Sequence, residues 1–178
     1  MWKTLRRIVT GHNAQGRSIV TSDGPPGNSA GGEGRGLREL WNTTGGPIDT
    51  RGTDDPTRGE VRLSPPPGGT KFRYFILPPE DPHTPREEIE RGVAARFAAY
   101  GESHARVDTT RHPAMHKTHS LDYIILLSGE VTLLLDEDEV PVRPFDVVVQ
   151  RGTNHAWVNT GPEPALFAGV LIDAEFDD

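Results

Sequence analysis

The chain has 178 residues, which is enough for one compact domain with a modest core. Its formal net charge of −7 argues against a nucleic-acid partner, because phosphate binding needs a concentrated basic surface. It contains no cysteine, which excludes disulfides, thiolate nucleophiles and cysteine-based zinc sites.

Neither a membrane span nor a signal peptide is expected. No apolar stretch approaches the roughly 18 residues that a spanning helix needs. Residues 1–7 carry charges and lack the apolar region of a signal peptide. We therefore expect a cytoplasmic protein with no membrane partner.

The first seventy residues are predicted to form a strand pair followed by a long irregular arm. Residues 5–10 and 17–21 are predicted strands around a turn at 11–16. Residues 22–69 are rich in Gly, Pro, Ser and Thr, with too few apolar residues to bury a core of their own. Such a segment either wraps over the domain or a partner subunit, or forms a lid over a pocket. We divide the chain into residues 1–70 and a main domain at 71–178.

The main domain is predicted to begin with one strand and one helix. Residues 71–77 have an alternating pattern, and they are bounded by Gly-Gly before and Pro-Pro after, which predicts a strand. Thr84, Pro85 and Glu87 have the spacing of a capped helix start. Apolar residues follow at helical spacing and Gly101 ends the pattern, which predicts a helix over residues 85–100.

Short strands dominate the rest of the chain. The predicted strands are residues 123–127, 131–135, 139–143, 146–150, 156–159 and 165–171, with turn residues between them. Evenly spaced short strands are typical of a sandwich or barrel. The fold class is therefore all-β with one short helix.

Histidine and acidic side chains occur in two segments, residues 112–123 and residues 150–159. His116, His119 and Asp122 lie in the first segment, and His155 lies thirty-odd residues later. Imidazole and carboxylate groups are ordinary ligands of divalent zinc, iron, manganese and nickel. Two histidines and one acid have the composition of a two-histidine-one-carboxylate iron site with open positions. Their spacing does not by itself establish that they converge.

The two segments resemble the two motifs of the cupin family. The first motif is HxH, three or four residues, Glu, six residues, Gly; the second is Pro-x-Gly, two residues, His, three residues, Asn. His116 falls on the first histidine, and Asp122 stands at the glutamate position, with six residues between it and Gly129. The residues that match the second motif are Gly152, His155 and Asn159. The resemblance covers roughly residues 71–172 and implies a cupin double-stranded β-helix, or jelly-roll, barrel.

The first motif is incomplete. Thr118 occupies the position of the second histidine, and Asp122 is one methylene shorter than glutamate. The resemblance therefore implies a three-ligand metal site of His116, Asp122 and His155. His119 sits one residue off the motif, in a predicted turn, and is the second choice as a ligand. The alternative is a hydrogen-bonded polar cluster in a barrel that has lost its metal.

Four further side chains are candidates for binding a substrate. Trp157 lies two residues after His155 and so shares its face on a regular strand. Trp157 and Tyr123 would either stack on a flat substrate or belong to the core. Thr118 would point inward with His116, and Met115 would belong to the core or the pocket wall. No residue is singled out as catalytic.

A narrower resemblance concerns small single-domain cupins with the pattern HRT…DYxxVLxGEV…GDVVVQRGTxHAW, often described as cupin-domain oxidoreductases. It implies a metal-dependent oxidoreductase, in its specific form a non-haem Fe(II) dioxygenase, acting on a small aromatic or polyketide-like compound. One alternative is a metal-dependent lyase or isomerase, such as a decarboxylase or dehydratase, with zinc, manganese or nickel. Another is a non-catalytic barrel that binds a small ligand. We also expect a homodimer, because the N-terminal strand pair has no partner in a minimal cupin barrel.

Overall fold

The computed structural model of the chain describes residues 5–175. Residues 1–4 and 176–178 lie outside it. The first residues of the predicted region 1–70 and the last residues of the predicted domain 71–178 are therefore not described. Most of the segment used to argue against a signal peptide also lies outside the described residues. Within residues 5–175, no helix is long and apolar enough to cross a membrane.

The described residues form short strands and one α-helix, as the sequence predicts. The N-terminal strands are β1 (Arg7–His12), β2 (Ser18–Gly24), β3 (Asn28–Ala30) and β4 (Gly36–Thr43). Strand β5 (Thr70–Leu77), helix α1 (Arg86–Ala99) and one turn of 3-10 helix (Ser103–Ala105) follow. The remaining strands are β6 (Ser120–Ser128), β7 (Val131–Leu135), β8 (Glu139–Val142), β9 (Val147–Arg151), β10 (His155–Asn159) and β11 (Ala165–Asp173).

The strands pair into three antiparallel sheets. The largest has the order β3-β4-β5-β11-β6-β9, and a second has the order β10-β7-β8. Strands β1 and β2 pair only with each other. The main core cluster draws buried residues from β6, β7, β8 and β11, so it lies between the two larger sheets. Both sheets therefore bury one face each, as in other sandwiched β folds.

Strand β6 illustrates how the sequence pattern produces this burial. Side chains alternate between the two faces of a strand. Asp122, Ile124 and Leu126 are buried, whereas Tyr123 on the other face is exposed. The outer face of β6 is therefore open to solvent around Tyr123.

The structure differs from the sequence expectation over the arm at residues 22–69, which contains strands β3 and β4. Strand β4 pairs with β5 and extends the large sheet by one strand, with Glu39 opposite Arg73. Glu39 is only 1% exposed and faces inward beside the buried Leu37. A β-bulge at Leu40 shifts the register directly after it. A charged residue at an inward position breaks the apolar alternation that predicts a strand.

Helix α1 agrees with the predicted helix, but its start is built differently. Pro85 is the N-cap residue, and no side chain makes a capping hydrogen bond. The Pro85 carbonyl instead accepts from the amides of Glu88 and Ile89. The capping box expected from Thr84 is therefore absent. Val93 and Phe97 bury the inner face of the helix against Ala105.

Candidate functional site

A cavity of about 360 Å³ opens between the sheets and helix α1. Cavities of this size hold small organic molecules. Five residues singled out from the sequence line it: His116, Thr118, Asp122, His155 and Trp157. Most of the remaining wall is apolar, with contributions from β4, β5, β6 and α1.

A pair of histidines forms one wall of the cavity. His116 and His155 make an isolated antiparallel bridge, with the His116 amide 2.8 Å from the His155 carbonyl and the reverse bond at 2.9 Å. Residues directly opposite each other in an antiparallel pair project to the same side. Their ring centroids consequently lie 4.3 Å apart.

The hydrogen bonds of the two rings determine which nitrogen carries the proton. Nδ1 of His116 lies 2.9 Å from the Ala114 carbonyl, and Nδ1 of His155 lies 2.9 Å from the Thr153 carbonyl. A carbonyl oxygen only accepts, so each Nδ1 is the donor and each Nε2 keeps its lone pair. Metal-binding histidines are commonly oriented by such a bond from the second ring nitrogen.

Both imidazoles are neutral at neutral pH. Burial lowers the pKa of His116 to about 4. Burial, reinforced by the neighbouring His116, lowers the pKa of His155 to about 3. Neutral imidazoles are the form that binds metal ions.

Asp122 lies on the same cavity in a different environment. It is 5% exposed, and its Oδ1 atom has no hydrogen-bond partner among the described residues. Burial raises the pKa of Asp122 to about 6, while Ser120 and the charge of Arg73 act in the opposite direction. An unpartnered buried carboxylate oxygen is costly, so this group is poised to accept a partner from the cavity.

The residues fit a divalent metal in part. The tautomers of His116 and His155 suit two ligands of one metal. Among residues 5–175, however, no three His, Cys, Asp or Glu side chains form a group arranged to hold a metal ion. Asp122 belongs to the large sheet rather than to the β10 sheet, and its side chain is one methylene shorter than the glutamate of the motif. The structure thus brings together a two-histidine half-site with Asp122 beside it on the same cavity.

Three sequence candidates are not brought to the cavity wall. Tyr123 lies on the opposite face of β6 from Asp122 and is 46% exposed, because successive residues of a strand point to opposite faces. It therefore cannot stack with Trp157 on a substrate inside the cavity. His119 is exposed and Met115 is buried, and neither lines the cavity.

Aromatic rings surround the histidine pair. Trp157 meets His155 edge-on at 5.9 Å between centroids and lies 6.4 Å from Phe75. Phe97 of helix α1 meets His116 edge-on at 4.9 Å. Aromatic walls provide flat apolar contact area and exclude water from the imidazoles.

Sequence reasoning missed a buried ion pair beside this site. Arg73 lines the cavity and is 1% exposed, and its Nη2 lies 2.9 Å from Glu39 Oε1. The guanidinium also donates to the Leu63 and Arg62 carbonyls. The pair depends on the register of β4 with β5, and the sequence has no signal for that register.

Three residues of the cupin motifs support the fold rather than the cavity. Asn159 is buried, donates from Nδ2 to the Leu77 and Glu163 carbonyls at 2.8 Å, and accepts from the Gly161 amide. Gly129 and Gly152 have positive φ angles of 103° and 60°. These glycines allow backbone conformations that side chains with a Cβ rarely adopt.

Comparison with known proteins agrees with this architecture. The family model described as "Cupin domain" matches residues 101–172. Phomopsin biosynthesis cluster protein D of Diaporthe leptostromiformis is 34% identical over 161 residues, covering 88% of this chain and 71% of that protein. The cupin-domain-containing oxidoreductase virC of Hypocrea virens is 28% identical over 179 residues, covering 97% of this chain and 77% of that protein.

A solved structure gives a further comparison. The Cupin 2 conserved barrel domain protein from Salinispora arenicola aligns with 83% of this chain and 82% of its own, with a TM-score of 0.42 and 14% identity. The predicted fold class, a cupin jelly roll with one helix, is confirmed by the family match together with the mostly β structure. This chain belongs to the cupin family.

Proposed function

We propose that this cupin is a small-molecule oxidoreductase that uses a divalent metal ion, with Fe(II) as the first choice. The observation that carries the proposal is the neutral histidine pair on the wall of an apolar cavity, whose Nε2 atoms make no hydrogen bond within residues 5–175. The similarity to relatives named as cupin-domain oxidoreductases supports the reaction class.

His116 and His155 would hold the metal, which supplies a redox couple and open positions for substrate and dioxygen. Asp122 is our proposed third ligand, because its unpartnered Oδ1 is buried on the same cavity. The backbone carbonyls of Ala114 and Thr153 would keep both imidazoles in the tautomer that a metal needs.

The cavity walls favour a flat apolar substrate. Trp157 and Phe75 line it with aromatic surface, and Phe97 covers the edge of His116. These rings would orient a planar compound and keep bulk water from the reacting group. A volume of about 360 Å³ fits a small aromatic or polyketide-like molecule.

Elemental analysis of the purified, tag-free protein tests the metal site. We expect near-stoichiometric iron in the wild type and its loss in His116→Ala and His155→Ala. The matched control is His83→Ala, which changes an exposed histidine that does not line the cavity. Absence of any metal after reconstitution with Fe(II), Zn(II), Mn(II) and Ni(II) would refute metal dependence and favour a non-catalytic ligand-binding barrel.

The role of Asp122 is tested separately. If Asp122 is the third ligand, Asp122→Ala loses iron as the histidine variants do. Unchanged iron stoichiometry in Asp122→Ala would reject this ligand and leave the histidine pair in place. The Asp122→Glu variant restores the length of the motif residue and should bind iron at least as tightly as the wild type.

A second candidate function is a metal-dependent lyase or isomerase. It is favoured by the unpartnered Oδ1 atom of Asp122, through which the carboxyl group could give or accept a proton at a substrate carbon. Turnover without dioxygen, supported by zinc, would favour this reaction over oxidation. Turnover that stops under anaerobic conditions would favour the oxidoreductase.

We also propose that the protein is a homodimer. Strands β1 and β2 pair only with each other, and Arg7 ties the hairpin to the Leu40 carbonyl and to Asp55. Ile8 and Val20 on the hairpin are 52% and 57% exposed. A two-stranded hairpin is marginally stable alone, so a second copy would cover this apolar surface. Light scattering should give a dimer for the wild type and a monomer for Ile8→Asp/Val20→Asp. A monomeric wild type would refute the proposal.

A further inference from the structure

We propose that Arg35 and Arg96 form an anion-binding subsite at the edge of the cavity, and that the substrate is therefore an aromatic or polyketide-like carboxylate. Both arginines line the cavity that holds the histidine pair, and each keeps part of its side chain exposed to solvent. The inference rests on the proposed function only in taking this cavity as the substrate site.

The β3–β4 turn holds Arg35 in place. Gly36 has a φ of 99°, and a Cβ atom there would lie 2.0 Å from the Ala30 carbonyl oxygen, so the turn requires glycine. Arg38 donates to the carbonyls of Ala30 and Gly32 at 3.1 and 2.8 Å and braces the same turn. The turn is thus a rigid support that presents Arg35 at the cavity.

Helix α1 brings Arg96 to the same opening. Gly92 and Arg96 are four residues apart and lie on one face of the helix, and the C-cap residue Tyr100 follows after four more. All three line the cavity. Nothing lies within 4 Å of a Cβ atom added at Gly92. Glycine in a helix interior costs about 1 kcal/mol relative to alanine, and here it leaves the approach between the helix and the cavity open.

The two arginines have no acidic partner within the described part of the chain. No ion pair or side-chain hydrogen bond of Arg35 or Arg96 occurs among residues 5–175. The third arginine of the cavity, Arg73, is by contrast neutralised by Glu39. The edge of the cavity therefore carries uncompensated positive charge on a protein whose net charge is −7.

The arginines also influence each other and the histidine pair. Loss of hydration lowers the pKa of Arg96, Tyr100 raises it, and the charge of Arg35 lowers it again. Arg96 is near enough to His116 to contribute to the lowered pKa of that imidazole. Phe97, the next residue of the helix, contacts His116 edge-on.

These relations suit a ligand with one acidic end. A carboxylate accepts bidentate hydrogen bonds from guanidinium groups, and two neighbouring arginines without a counter-ion gain most from it. The aromatic body of the same ligand would contact Trp157 and Phe75. The subsite would thereby select organic acids over neutral compounds of the same shape.

Calorimetric titration with 2-naphthoate and its neutral analogue 2-naphthamide tests the subsite. We expect the wild type to bind the acid about 10- to 100-fold more tightly than the amide, as charge-assisted hydrogen bonds provide. Arg35→Gln/Arg96→Gln should abolish this preference, and added KCl should weaken acid binding in the wild type only. The control is Arg91→Gln, an exposed arginine of the same helix that does not line the cavity.

Equal affinity for acid and amide, including absence of binding of both, would overturn the subsite, as would an unchanged preference in the double variant. Iron content of the same samples separates this result from failure of the proposed function. A metal-loaded protein without acid preference rejects only the subsite. Acid preference in a protein that binds no metal supports the subsite and rejects the metal-dependent function.

Discussion

Acid should destabilise the metal-free protein through the buried histidine pair. The pKa of His116 and His155 falls from 6.5 to about 4 and about 3 on burial. The pKa of each histidine is lower in the folded state than in the unfolded state. Its contribution to stability is therefore fully present above the unfolded-state pKa. That stability is lost as the pH falls below 6.5, where the unfolded state takes up protons that the folded state does not.

The size of the effect follows from these pKa values. Each pH unit below 6.5 costs about 1.4 kcal/mol per histidine, so pH 5 costs about 2 kcal/mol for each and about 4 kcal/mol for the pair. Asp122 acts in the opposite direction, because its pKa is raised to about 6. Its stabilising contribution is complete below pH 3.8 and is lost as the pH rises through 6. Lowering the pH from 7 to 5 therefore raises the free energy of unfolding by roughly 1 kcal/mol through Asp122. The net loss expected at pH 5 is about 3 kcal/mol.

Urea unfolding at pH 7 and pH 5 after metal removal measures this loss as a shift in midpoint at constant slope. The variant His116→Gln/His155→Gln should lose far less stability over the same pH range. Each single variant should show an intermediate loss, which provides the test if the double variant does not fold. The exposed His83→Gln variant should behave as the wild type. An equal loss in the wild type and the double variant would refute the assignment of acid sensitivity to this pair.

Three further predictions concern the fold around the cavity. Asn159→Ala removes three hydrogen bonds from a buried site and should lower the free energy of unfolding by about 3 kcal/mol in urea titrations. Gly129→Ala places a Cβ atom 2.6 Å from a side chain of β11, at a φ of 103°. It should lower the free energy of unfolding, measured by thermal unfolding, by about 2 kcal/mol or more. The control is Gly24→Ala, whose added Cβ atom meets no atom within 4 Å. Glu39→Gln leaves the Arg73 charge unpaired and should cost about 3–5 kcal/mol, whereas Glu39→Met/Arg73→Met should recover most of that stability; equal losses in both would contradict the ion-pair argument.

The sequence by itself determined the strands of the main domain and helix α1. Alternation located β6, β7 and β11, which each bury one apolar face, because this is the feature that periodicity detects. Turn residues and β-branched residues located the shorter strands β8 to β10. The cupin motifs also placed His116, Asp122 and His155 on one cavity, since strand pairing brings the two motif segments together. Tyr123 was predicted either to stack on a substrate or to belong to the core, and the alternation of β6 places it on the exposed outer face instead.

Only the tertiary structure decided how the cavity is enclosed. Strand β4 carries the inward Glu39, whose burial makes sense only once Arg73 stands opposite it on β5. Arg35 and Arg96 are far apart in the chain, and both line the cavity because a turn and a helix border it. The close contact of the two histidine rings likewise arises from the pairing of residue 116 with residue 155, which only the folded chain shows. Local patterns report which face of an element is buried, whereas contacts between distant elements depend on register and docking, which no local pattern contains.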